Sequence, residues 1–125
     1  MTIEASKKSI QQLKEQLHDR PDTLEFSEVI ETINANFDYT PTRFTNGRGD
    51  DKVINEAGSN EGSCRIFAFA LLQGFSAEET LALFGKFYRE DVLGNPAGTD
   101  HANIRTFMRH GWTGIHFDGV ALKPR

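Results

Sequence analysis

The chain has 125 residues, one cysteine and a formal charge of −4, which fits one ordinary domain and excludes an internal disulfide. With no Lys/Arg run longer than Lys7-Lys8, the acidic balance speaks against a nucleic-acid partner. No stretch approaches the ~20 apolar residues that span a bilayer, so no membrane partner is expected, and the lone thiol points to a reducing, cytoplasmic compartment.

Ten phenylalanines against two tyrosines and one tryptophan predict a core of Phe, Leu and Ile, since apolar burial stabilises by about 25 cal/mol per Å². From Thr2 to His18, Ile3, Ile10, Leu13 and Leu17 make a thin stripe on a charged helix that ends before Arg20-Pro21, so loose packing is expected. The segment has no apolar core of the Sec type, and type III export signals need none. Phe26, Val29, Ile30, Ile33 and Phe37 recur at the spacing of a core-facing helix. Tyr39-Thr40-Pro41 then stops helical structure, and Asn46-Gly47 with the polar Arg48 to Asp51 predicts a short hairpin or ordered loop. The Arg48-Gly49-Asp50 tripeptide is too short to carry a function here.

Ile66 to Leu72 is almost wholly apolar, so a helix there is central to the fold. Gly74 ends it, and Ser76 with Glu79 forms a capping box for a helix carrying Leu81, Leu83, Phe84, Phe87 and Tyr88. Gly94-Asn95-Pro96 breaks that pattern, Thr99 or Asp100 caps a further helix, and Gly111 stops it. Asp118-Gly119 between Ile115-His116-Phe117 and Val120-Ala121-Leu122 reads as a hairpin. The expected fold class is α+β: a helix-dominated single compact domain with four or five helices and one or two small β-hairpins.

Two polar segments precede apolar helices and supply the candidate site. Asn60, Glu61, Ser63, Cys64 and Arg65 come from one, and Asp100, His101, Asn103 and Arg105 from the other. If the helix heads converge, Cys64 is a candidate nucleophile, His101 its base and Asp100 or Asn103 the orienter of the imidazole. Gly62-Ser63-Cys64 resembles papain-like cysteine peptidases in outline, but Arg65 stands where that family has an aromatic residue. A lone cysteine before Ile66-Phe67 is more commonly a small buried hydrophobe. The second constellation binds instead of reacting: free N–H groups at the two helix heads hold an anion, with Asn60, Glu61, Ser63, Arg65, Asn103 and Arg105 as ligand contacts. Against it stands self-capping by Asn60, Ser63, Thr99 and Asp100. His101, His110 and His116 fall in no metal-ligand spacing, so no metal and no cofactor are expected.

Tyr39-Thr40-Pro41 with Phe44 and Asn46-Gly47, Asn60-Glu61-Gly62-Ser63-Cys64, Leu83-Phe84-Gly85 with Tyr88, Thr99-Asp100-His101 with Asn103-Ile104-Arg105, and Gly111-Trp112 follow in this order. Together they resemble the HopJ type III effector family from about Leu24 to Leu122. The resemblance divides the chain into an N-terminal helix over residues 1–23, outside it and packed on or flanking the domain, and a HopJ-like domain over residues 24–125. It implies a Gram-negative bacterial setting and an effector role through type III secretion into a host cell, and it supplies no reaction. The sequence therefore leads to a HopJ-like protein that binds a small anionic ligand, or a host or bacterial protein, through a polar pocket at two helix heads. The alternatives are a Cys64-His101 hydrolase or transferase, and a cytoplasmic interaction domain without pocket chemistry.

Overall fold

The computed structural model describes residues 9–125, so the part of the first predicted helix that holds Ile3 lies outside the described residues. Ser9 opens α1 (Ile10–Asp19) through a capping box with Gln12. Leu13 and Leu17 are buried where α1 packs on α2 (Phe26–Asn36), so the thin stripe is enough to anchor the helix.

The chain leaves α2 directly into β1 (Phe37–Tyr39). The hairpin predicted around Asn46-Gly47 forms from β2 (Phe44–Asn46) and β3 (Val53–Asn55), with Phe44 opposite Asn55 and Asn46 opposite Val53. Gly47 must stay glycine, because at φ +99° an added Cβ would lie 2.6 Å from the Thr106 methyl.

The central helix is α3 (Glu61–Gln73), with Cys64, Ile66, Phe67, Phe69 and Ala70 buried. It is less enclosed than its composition predicts, for Leu71 and Leu72 near its end remain exposed. Gly74 then turns left-handed to close it. The Ser76 and Glu79 capping box is present, but α4 spans only Ala77–Ala82. It does not continue to Tyr88, because Gly85 adopts φ +62° against the backbone of Leu24 to Phe26. The chain resumes as a π-helical segment, Phe87–Val92, a wider winding that often marks functional positions.

The last helix is α5 (Ala102–His110), stopped by Gly111 at φ +63°. Its N-cap is His101, and neither Thr99 nor Asp100 takes that place. After a short 3-10 turn, Gly111–Gly114, the tail departs from the predicted hairpin. β4 (His116–Phe117) joins β2, whereas β5 (Leu122–Pro124) joins β1. The reason is packing: Phe117 stacks on Phe44 with ring centroids 5.1 Å apart, and Leu122 is buried beside β1. Two apolar anchors in different sheets outweigh the local turn preference of Asp118-Gly119.

The α+β architecture is thus a helical body with a two-stranded sheet, β1-β5, and a three-stranded sheet, β3-β2-β4, all antiparallel. Phe67 is the centre of the core, with the rings of Phe107, Phe84, Phe44 and Trp112 at 4.9, 5.5, 5.9 and 6.3 Å. Trp112 folds back onto this cluster and donates its indole N–H to the Phe75 carbonyl.

Candidate functional site

The heads of α3 and α5 converge on a cleft of about 370 Å³. Asn60, Gly62 and Ser63 line one side, and His101, Ala102, Asn103 and Ile104 another. Phe26, Phe84, Phe87 and Val53 supply the apolar walls. Gly62 is required by this closeness, since a Cβ there would sit 2.7 Å from the tip of the Phe26 ring.

Among the described residues, the non-glycine positions with positive φ are Asn60 at 51° and His101 at 53°. Each immediately precedes a helix, and both line the cleft. Left-handed backbone is costly for residues with a Cβ, although Asn and His tolerate it better than most. It also turns both cap side chains away from the helix: neither α3 nor α5 receives a side-chain cap hydrogen bond. The self-capping expected of Asn60, Ser63, Thr99 and Asp100 is therefore replaced by two uncapped first turns, whose N–H groups carry the positive end of the helix dipole.

Asn60 is held from behind. Its Nδ2 donates to Asn55 Oδ1 at 2.7 Å, and Asn55 and Asn103 exchange amide hydrogen bonds at 3.1 and 2.8 Å. Asn46 adds donations to the Asn103 carbonyl and to its Oδ1. This buried chain of amides ties β2 and β3 to both helix heads, and the Oδ1 of Asn46 is buried within it without a partner.

His101 is fixed from the π-helical segment. Its Nε2 donates to Asp91 Oδ2 at 3.0 Å, and its ring lies 5.1 Å from that of Phe87. Asp100 approaches the same nitrogen only to 3.9 Å. Its carboxylate instead accepts from Arg105 Nη2 at 2.6 Å, and the Arg105 guanidinium holds the Asp100 carboxyl below its usual range. The Arg105 side chain also donates to the carbonyls of Asp100, Asn95 and Pro96. Its donors are spent on the loop that delivers His101, so Arg105 braces the site from outside the cleft.

Cys64 points elsewhere. It is 1 % exposed, its thiol donates to the Thr42 carbonyl at 3.5 Å, and it does not line the cleft. Burial pushes the thiol above its ordinary pKa, and the Glu61 carboxylate acts in the same direction. The Tyr39 hydroxyl, buried and without hydrogen-bond geometry to any partner, lies beside it, and burial raises this phenol as well. Arg65 caps the outside of this group, its guanidinium 3.9 Å from the Tyr39 ring centroid and its Nε donating to Asn34. Among the described residues no hydrogen bond joins Cys64 to His101. The structure brings Asn60, Ser63, His101 and Asn103 to the cleft, and leaves Cys64, Arg65, Glu61, Asp100 and Arg105 outside its lining.

The sequence reading missed Asp91, Phe26 and Phe87, which reach His101 or the cleft through tertiary packing, and Asn46 and Asn55, whose short strands give no chemical signal. Among the described residues, no group of three or more His, Cys, Asp or Glu side chains is placed to hold a metal ion, and no helix is long and apolar enough to cross a membrane.

The model of the HopJ type III effector protein family matches residues 10–122. The chain belongs to that family. The HopJ match takes in α1 as well as the segments around the cleft. Among solved structures, the chain is similar to the crystal structure of a protein of unknown function, VPA0580, with 45% sequence identity over 100% of both chains and a TM-score of 0.91. No curated protein matches.

Proposed function

We propose that this HopJ-family protein is a binding protein that takes a small anionic ligand in the cleft between the heads of α3 and α5. The observation that supports it is the placement of Asn60 and His101, the two non-glycine residues of positive φ among the described residues, at that one cleft. Such conformations cost about 1–3 kcal/mol each and cluster where function needs them. Here they leave two first turns without side-chain caps, where backbone N–H groups favour negative charge. Phe26 and Phe87 offer an apolar body a surface beside them.

Titration with inorganic phosphate and with benzoate, followed by amide chemical shifts, tests the reading. The expected result is saturable shifts at residues 61–63 and 102–104, larger with benzoate because its ring reaches the Phe wall. Shifts scattered over the surface with no saturation would count against it. The family's description as a type III effector protein supports delivery into a host cell, and the full chain fused to a translocation reporter tests that separately. A functional type III system that never delivers the fusion would overturn it.

A further inference from the structure

We infer that the cleft is also a hydrolytic site, in which Ser63 is the nucleophile, His101 the base and Asp91 the residue that positions the imidazole, acting on esters or thioesters with an apolar acyl group. The inference rests on the cleft reading above and adds chemistry to it. Because Nε2 of His101 donates to Asp91 Oδ2, Nδ1 is the bare nitrogen of the ring, and it carries no hydrogen bond among the described residues. Ser63 supplies the single hydroxyl among the lining side chains, and that hydroxyl too has no hydrogen-bond partner among the described residues. An imidazole with a carboxylate behind it and a hydroxyl line one cleft; no hydrogen bond joins the two in the free protein, and an acyl substrate bound between them closes Ser63 Oγ on His101 Nδ1, the contact that activates a weak nucleophile. Nothing comparable surrounds Cys64, whose thiol is already committed to Thr42.

The reaction balances without a cofactor. Ser63 Oγ attacks the carbonyl carbon while its proton passes to His101 Nδ1, and Asp91 stabilises the resulting imidazolium. Collapse expels the alkoxide or thiolate, which takes that proton from His101, and leaves the acyl group on Ser63. Water then attacks the acyl-enzyme, gives a proton to His101, and the carboxylic acid departs as Ser63 Oγ recovers the proton. The first-turn N–H groups of α3 stand ready for the oxyanion, and Phe26 and Phe87 for the acyl chain. The charged groups around His101 are Asp91 from the π-helical segment and Asp100, with Arg105 of α5 bound to Asp100.

The test treats the full chain with a fluorophosphonate probe, locates the label by peptide mass spectrometry, and follows hydrolysis of p-nitrophenyl butyrate. Stoichiometric labelling at Ser63 is expected. Ser63→Ala and His101→Asn, the latter chosen because Asn tolerates the left-handed backbone, are each expected to lower the rate by about 100-fold or more. Asp91→Asn is expected to lower kcat and to move the acidic limb of the pH profile, which a purely structural role would not do. Absence of label at Ser63, with the variants hydrolysing as fast as the original chain, would overturn the inference. If phosphate and benzoate still shift residues 61–63 and 102–104 in that case, the binding reading stands alone; if they do not, both fail.

Discussion

Asn55 and Asn103 close a ring of two amide hydrogen bonds, Asn55 Nδ2 to Asn103 Oδ1 at 3.1 Å and Asn103 Nδ2 to Asn55 Oδ1 at 2.8 Å. Asn55 ends β3 and Asn103 lies in the first turn of α5, so the ring fastens a strand to the helix whose head carries His101. Both side chains are buried, and removing Asn103 leaves Asn55 Nδ2 with only a 3.5 Å contact to the Val53 carbonyl, although Asn55 Oδ1 keeps its donor Asn60. Asn103→Ala is therefore expected to cost about 1–3 kcal/mol in urea unfolding. The Asn55→Ala, Asn103→Ala double variant is expected to lose less than the sum of the two singles, because the second truncation removes groups the first has already orphaned. Strict additivity would show that the pair contributes nothing specific.

This ring also marks how far the sequence could be read. The 60–65 and 100–105 segments are legible as candidates, because each is a polar run placed ahead of an apolar one, but their convergence is a tertiary fact that the sequence supplies only as a condition. The amides behind them were not: Asn46 and Asn55 sit on three-residue strands, and nothing local separates a buried asparagine from a turn asparagine. Asp91 was hidden for a different reason. Gly85 interrupts the expected long helix and the chain rewinds as a π-helical segment, so Asp91 meets His101 in a register that a 3.6-residue period does not foresee. The tail failed on competition between local and tertiary preference, with Phe117 and Leu122 drawn to separate sheets.

Cys64 yields a prediction about pH. Burial raises its thiol pKa in the folded protein above that of the unfolded chain, about 8.5 for a free cysteine. A raised folded pKa means that the thiol's contribution to stability is fully present below the unfolded pKa. As pH rises beyond it, the unfolded chain ionises while the fold keeps its proton, and the contribution is lost through the folded pKa. Denaturant titrations are expected to show stability falling as pH rises beyond about 8.5, with the fall reduced in Cys64→Ala. In the same range iodoacetamide should label the native protein far more slowly than the unfolded chain. Equal labelling rates would show that the thiol is open to solvent.

The opposite sign holds for Asp51. Its carboxylate accepts from Arg109 Nε and Nη2 at 2.7 and 2.9 Å and from His110 Nε2 at 2.7 Å. Arg109 first, and then His110, lower its pKa from 3.8 to about 2. Its contribution is present above pH 3.8 and is lost as pH falls through about 2. Asp51→Asn is expected to flatten the acid limb of the stability curve while leaving the alkaline limb unchanged. Carboxyl chemical shifts should place the Asp51 midpoint at about 2, well below the ordinary 3.8. A midpoint at 3.8 would mean the three-way contact is not held in solution.

Two glycines separate the cost of backbone conformation from the cost of space. Gly74 and Gly85 have similar φ, +72° and +62°. An added Cβ at Gly74 meets nothing within 4 Å, whereas at Gly85 it lies 2.8 Å from the Phe26 backbone nitrogen and 3.1 Å from the Leu24 carbonyl oxygen. Gly74→Ala carries the left-handed penalty alone, about 1–2 kcal/mol. Gly85→Ala carries that penalty and must also displace backbone at the start of α2, where Phe26 forms a wall of the cleft. It is expected to cost at least about 2 kcal/mol more than Gly74→Ala, in the range of overpacking, and to perturb the amide signals of residues 61–63. Equal losses for the two variants would show that α2 and the α4 end part without cost, and that the cleft wall is not fixed by their contact.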